Sequence, residues 1–132
     1  MTQFLLVAAG GALGAVARYG LGLTVGRLAP GAVWPWGTFA ANITGGLLMG
    51  LLAGWLALKA GAGQESIRLF AAVGVLGGFT TFSAFSLEVA LMIERRELAT
   101  AFVYVAGSVV LSIAALFVGL MIARKLFTGV GA

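Results

Sequence analysis

Gly77-Gly78-Phe79-Thr80-Thr81-Phe82-Ser83-Ala84-Phe85 decides how this chain is read. The segment lies in an apolar run that opens at Leu69, just after Arg68, and carries no charge until Glu88. A run of that length crosses a bilayer at the helical rise. A glycine pair followed by two β-branched residues is poor helix material. Hydrocarbon solvates neither backbone N–H nor C=O, so irregular backbone at that depth must face protein or a water-filled cavity. The stretch therefore predicts a third transmembrane helix broken near the bilayer midplane, where membrane proteins often handle ions.

Working outward, three more spans appear. The four are expected at about 4–23, 37–58, 69–93 and 98–123 in one transmembrane domain covering 1–132. The fold class is an all-α integral membrane protein. Ala15-Val16-Ala17 looks like a signal cleavage site, but Met1-Thr2-Gln3 carries no basic segment, so the first span is retained. Four spans put both termini on one side. That side holds Lys59, Arg68, Arg124 and Lys125; the other holds Arg27, Arg95 and Arg96, with Arg18 if it snorkels there. So even a count gives the insertion machinery little to choose between. The expectation is dual topology, with two copies pairing as an antiparallel homodimer. Gly10 and Gly14, then Gly46, Gly50 and Gly54, recur at spacings that let helix backbones touch.

Composition excludes much. The chain is 61% hydrophobic and only 9% charged, against roughly 25% in soluble domains. A soluble fold could not hide that much apolar surface. There is no cysteine and no histidine, which removes thiol chemistry and the commonest general base. No nucleophile–base pair is visible, so an enzyme is not expected. The basic pI of about 10.4 reflects cations at span ends, where they meet headgroups, so no nucleic-acid partner is expected.

Polar residues in the spans are costly and face protein or a pathway. Asn42 lies five residues into the uncharged second span; it reads as interhelical glue or as a ligand. Tyr104, Ser108 and Ser112 recur every four residues, a hydroxyl stripe more than about ten ångströms long on one helix face. Each Ser can instead bond back to its own helix. Phe82 and Phe85 share a face. They are core packing, or their positive ring edges approach an anion. The inventory is donors without cations. It suits a small anion that needs donors to replace its water yet must leave again.

These residues resemble the Fluc, or CrcB, family of small fluoride channels. Four motifs carry the resemblance in order. They are Gly11-Ala12-Leu13-Gly14-Ala15-Val16-Ala17-Arg18-Tyr19; Gly37-Thr38 with Asn42, Gly45 and Gly50; Gly77-Gly78-Phe79-Thr80-Thr81-Phe82-Ser83; and Tyr104-Ser108-Ser112. The resemblance implies an antiparallel dual-topology homodimer in the cell (inner) membrane, with two fluoride pores. In each pore Asn42 would donate, Phe82 and Phe85 would present ring edges, and Tyr104, Ser108 and Ser112 would form the polar track. Thr81 and Ser83 hydroxyls would lie nearby. The resemblance also implies a structural Na⁺ at the dimer centre, held by the backbone carbonyls of Gly77 and Thr80. The channel would export fluoride that crossed the membrane as the neutral acid and ionised inside. Besides fluoride and a second copy, the only partner expected is membrane lipid.

Ala84 stands where the family usually has Thr, so a hydroxyl is lost beside the phenylalanine pair. Glu88 reads as an interfacial residue, salt-bridged or solvated, or as a vestibule group. Arg18 reads as a snorkelling cation or as an anion attractor at a vestibule. The main rival is a small dual-topology, proton-coupled multidrug exporter. It would need a membrane-embedded carboxylate, and the first two spans contain none.

Overall fold

A computed structural model describes residues 1–59 and 63–128. All regular structure among them is helical. In chain order it comprises α1 (Thr2–Leu28), α2 (Trp36–Leu58), α3 (Gln64–Ile67), a π-helical segment (Arg68–Leu76), α4 (Gly77–Phe79), α5 (Phe82–Glu94) and α6 (Leu98–Thr128). Four stretches are long and apolar enough to cross a membrane: Thr2–Leu28, Trp36–Leu58, Gln64–Glu94 and Leu98–Thr128. Three of these reach past the charge-bounded expectations, because a helix continues into the headgroup layer until a residue stops it. For α1 the stop is Pro30 with Gly31, whose φ of 77° suits glycine.

The turn between α5 and α6 closes in another way. Arg96 adopts a φ of 61°. Its N–H donates to the Ile93 carbonyl, and the Glu97 N–H donates to the Met92 carbonyl. This is a Schellman close with arginine in the left-handed position that glycine normally takes.

Within the third span the structure differs in detail from the sequence reading. Both glycines are helical: Gly77 has φ −64° and ψ −38°. The extended residues are the threonines, Thr80 at φ −81°, ψ 157° and Thr81 at φ −151°, ψ 123°. Gly78 serves packing instead; a Cβ there would press on the Gly11 carbonyl of α1. The π-helical segment ahead of it was not foreseen. Its wider turns show at Gly77, whose N–H donates to the Ala72 carbonyl five residues back.

Two helix pairs organise the molecule. α1 lies along the π-helical segment and α4, while α2 lies along α6. The spaced glycines work inside the chain at both crossings. A Cβ on Gly14 would collide with the Val75 carbonyl, and one on Gly50 with the Leu116 carbonyl. Few large side chains are fully enclosed. Phe85, Met92, Ala101 and Tyr104 form the core cluster, with Trp34, Phe39, Val89 and Val105 packed on it. Most other large apolar side chains, such as Phe4, Leu13, Phe102 and Phe117, face outward. That distribution suits hydrocarbon surroundings.

Candidate functional site

An open groove of about 430 Å³ runs between α2, the Thr80–Thr81 link, α5 and α6. It gathers Asn42, Thr81, Phe82, Phe85, Ser108 and Ser112, together with Thr80 and the flat Gly45–Gly46 surface of α2. None of its lining residues is charged. The Ser108 and Ser112 hydroxyls are buried and have no hydrogen-bond partner among the described residues. A buried polar group left unpaired costs about 1–3 kcal/mol, so each needs something to bind. Phe82 is 77% exposed and Phe85 only 8%, with ring centroids 5.5 Å apart. One ring thus sits at the open side and the other on the floor.

Asn42 holds the link. Its Oδ1 accepts the Thr81 N–H at 2.9 Å, and its Nδ2 donates to the Thr81 carbonyl at 3.1 Å. A carboxamide has two N–H groups, so one remains for the groove. Below the link, the Ala84 N–H donates to Thr81 Oγ1 at 3.2 Å. In an unbroken helix the Thr81 and Ala84 amides would serve the carbonyls of Gly77 and Thr80. Here both donate to side chains. Arg18 Nε donates to the Gly78 carbonyl at 3.3 Å. Among the described residues, no side chain donates to the carbonyls of Gly77, Phe79 or Thr80.

A second cavity, about 520 Å³, lies between α1, the start of α2 and α5. Arg18, Tyr19, Thr38 and Glu88 line it. Here the charges have partners. Thr38 Oγ1 donates to Glu88 Oε1 and Tyr104 Oη donates to Glu88 Oε2, both at 2.6 Å. Tyr104 lines neither space but touches a residue of each. Its ring packs on Phe85 at 5.3 Å between centroids, and its hydroxyl reaches Glu88.

The family model described as "CrcB-like protein, Camphor Resistance (CrcB)" matches residues 5–120. Two relatives named "Fluoride-specific ion channel FluC" match nearly end to end. The one from Caulobacter sp. (strain K31) is 65% identical, covering 97% of this chain and 99% of its own length. The one from Phenylobacterium zucineum (strain HLK1) is 66% identical, covering 96% and 99%. The chain belongs to the CrcB family.

In this CrcB chain the expected site residues divide. Asn42, Thr81, Phe82, Phe85, Ser108 and Ser112 meet in one groove. Tyr104 does not line it; the residue is fully buried and its hydroxyl is committed to Glu88. Ser83 is exposed and lies 3.3 Å from Thr81 Oγ1 rather than in the groove. Arg18 neither snorkels nor stands free, since it is tied to Gly78. Glu88 makes no ion pair; among the described residues the single salt bridge is Arg68 to Glu65 at 2.9 Å. The sequence reading placed Thr38 in the second motif but gave it no role of its own. It lies one helical turn before Asn42 on α2, and its partner is 50 residues away.

Proposed function

We propose that this CrcB-family chain is a fluoride-selective ion channel of the inner membrane, exporting fluoride from the cytoplasm to lower its toxicity. Close relatives carry that activity in their names. It is a multi-pass membrane channel and not an enzyme. One observation in the chain itself carries the reading: an uncharged groove with two buried, unpartnered serine hydroxyls beside a free carboxamide N–H. Anions bind hydrogen-bond donors. A fluoride ion losing its water there gains O–H and N–H donors from Ser108, Ser112 and Asn42, and positive ring edges from Phe82 and Phe85. With no cation in the groove, the ion is held by dipoles alone and can leave. Tyr104 packs against the Phe85 ring of the groove and is itself held by Glu88. Thr81 lines the groove, with Ser83 as its hydroxyl neighbour.

We further propose that the chain works as an antiparallel homodimer with two pores, and that the Thr80–Thr81 link lies near the bilayer midplane. The groove is open and Phe82 exposed in a single copy, which supports a second copy as its missing wall. The even distribution of Lys and Arg between the two sides supports insertion in both orientations. A structural Na⁺ between the copies fits the donor set: hard cations take carbonyl oxygens, and those of Gly77 and Thr80 lack their usual helical donors. Gly77 also lies on an exposed face of the single chain. Bound there, the ion would join the two links and contribute binding energy to the dimer; fluoride would not pass through it.

Liposomes holding the purified protein, with fluoride and chloride electrodes run in parallel, test the main reading. Fast fluoride efflux without chloride efflux and without proton coupling is expected. Absence of fluoride efflux from folded dimers would sink it and return a proton-coupled exporter to consideration.

A further inference from the structure

The carbonyls around the Thr80–Thr81 link are not all equivalent. Side chains from two other helices occupy some of them: Arg18 of α1 takes that of Gly78, and Asn42 of α2 takes that of Thr81. Two further side-chain oxygens act in the opposite sense. Asn42 Oδ1 draws away the Thr81 N–H that would serve Gly77, and Thr81 Oγ1 draws away the Ala84 N–H that would serve Thr80. Side chains therefore sort the backbone, capping two carbonyls and uncovering two. We infer that Asn42 and the Thr81 hydroxyl are positioning residues for the cation site, which they make available without touching the ion.

The inference rests on the sodium reading proposed above and goes beyond it. Asn42 would then serve two sites at once, with one N–H toward the groove and its remaining polar atoms holding the link. Losing Asn42 Oδ1 lets the Thr81 N–H fall back toward the Gly77 carbonyl. Losing Thr81 Oγ1 does the same for Ala84 and Thr80. A carbonyl that regains its helical donor is a poorer ligand, because part of its lone-pair density is already engaged. Partners that orient metal ligands from outside the coordination sphere commonly change affinity by about 10–100-fold.

The test is thermal unfolding of the detergent-solubilised full chain, titrated with NaCl at ionic strength held constant by N-methyl-D-glucamine chloride. A bound ion raises the midpoint by mass action, so the Na⁺ concentration giving half the shift reads affinity. The wild type is expected to respond to Na⁺. Asn42→Ala and Thr81→Ala should need roughly tenfold more Na⁺ or more. Thr81→Ser keeps the acceptor oxygen and should match the wild type. Arg96→Gly lies outside both cavities and away from the link and should also keep the wild-type Na⁺ midpoint. A purely structural defect lowers the melting temperature equally with and without Na⁺, so the Na⁺ dependence separates the two. Should Asn42→Ala fail to fold, the Thr81→Ala and Thr81→Ser pair decides. Wild-type Na⁺ midpoints in Thr81→Ala and in a folded Asn42→Ala would overturn the inference while leaving the sodium site intact. A wild type indifferent to Na⁺ would overturn both.

Discussion

The two cavities use the same kind of side chain to opposite ends. In the groove, Ser108 and Ser112 hydroxyls are buried with no partner. At the second cavity, the hydroxyls of Thr38 and of the enclosed Tyr104 behind it are both spent on the Glu88 carboxylate. An unpartnered buried donor is a cost to the fold that a ligand can recover; a partnered one is part of the fold's own cohesion. The charged cavity therefore reads as architecture, and the uncharged groove as the place where an ion is handled. That contrast reverses the intuition that charge marks the site.

The sharpest way to break the comparison is to delete hydroxyls from each side. Ser108→Ala with Ser112→Ala should cut fluoride efflux by at least about 100-fold, since donors to a charged partner contribute about 1.5–3 kcal/mol each. The same double variant should leave thermal stability unchanged or slightly higher, because it removes unpaired groups. Efflux near the wild-type rate would place the ion elsewhere.

Next in size is the mirror experiment. Tyr104→Phe leaves Glu88 Oε2 without its donor, and a loss of about 1–3 kcal/mol in stability is expected from chemical unfolding. Thr38→Val should cost a similar amount through Oε1. If both variants were as stable as the wild type, the carboxylate would be sharing its oxygens with water, and the contrast between the cavities would weaken.

A smaller effect is expected from Phe82→Ile. Aromatic edge contacts are worth about 0.5–1.5 kcal/mol, so efflux should fall by roughly 2–10-fold with the dimer intact by size-exclusion chromatography. Both Phe82→Ile and Phe85→Ile at the wild-type rate would remove the ring edges from the pathway. The smallest change, Arg96→Gly, lies outside both cavities. Relief of the left-handed arginine should add up to about 1 kcal/mol of stability with efflux unaltered. It shows how a purely structural substitution behaves in the same assays.

Much of this was legible in the sequence, and the reason differs residue by residue. Gly77 through Ser83 announced a change in the third span because propensity is local. Yet the extended residues are Thr80 and Thr81 rather than the glycines, since Gly78 is needed to let α1 approach. Ser108 and Ser112 were legible as one face of one helix. Tyr104 belongs to the same face by spacing, but its longer side chain carries the hydroxyl across to Glu88. Nothing in the order of residues could show that Arg18 ends on a carbonyl of Gly78, or that Thr38 meets Glu88.

By itself the sequence determined the environment: four apolar runs, hardly any charge within them, and a stretch of threonine and glycine in the third. Hydropathy and backbone preference accumulate along the chain, so they survive without a fold. Tertiary structure alone decided which polar groups are spent and which are left over. Asn42 finds Thr81, Thr38 finds Glu88 and Arg18 finds Gly78 across sequence separations of 39, 50 and 60 residues. Those pairings depend on which helices lie side by side and at what height. Only once they are made does it become visible that Ser108 and Ser112 have been left without partners.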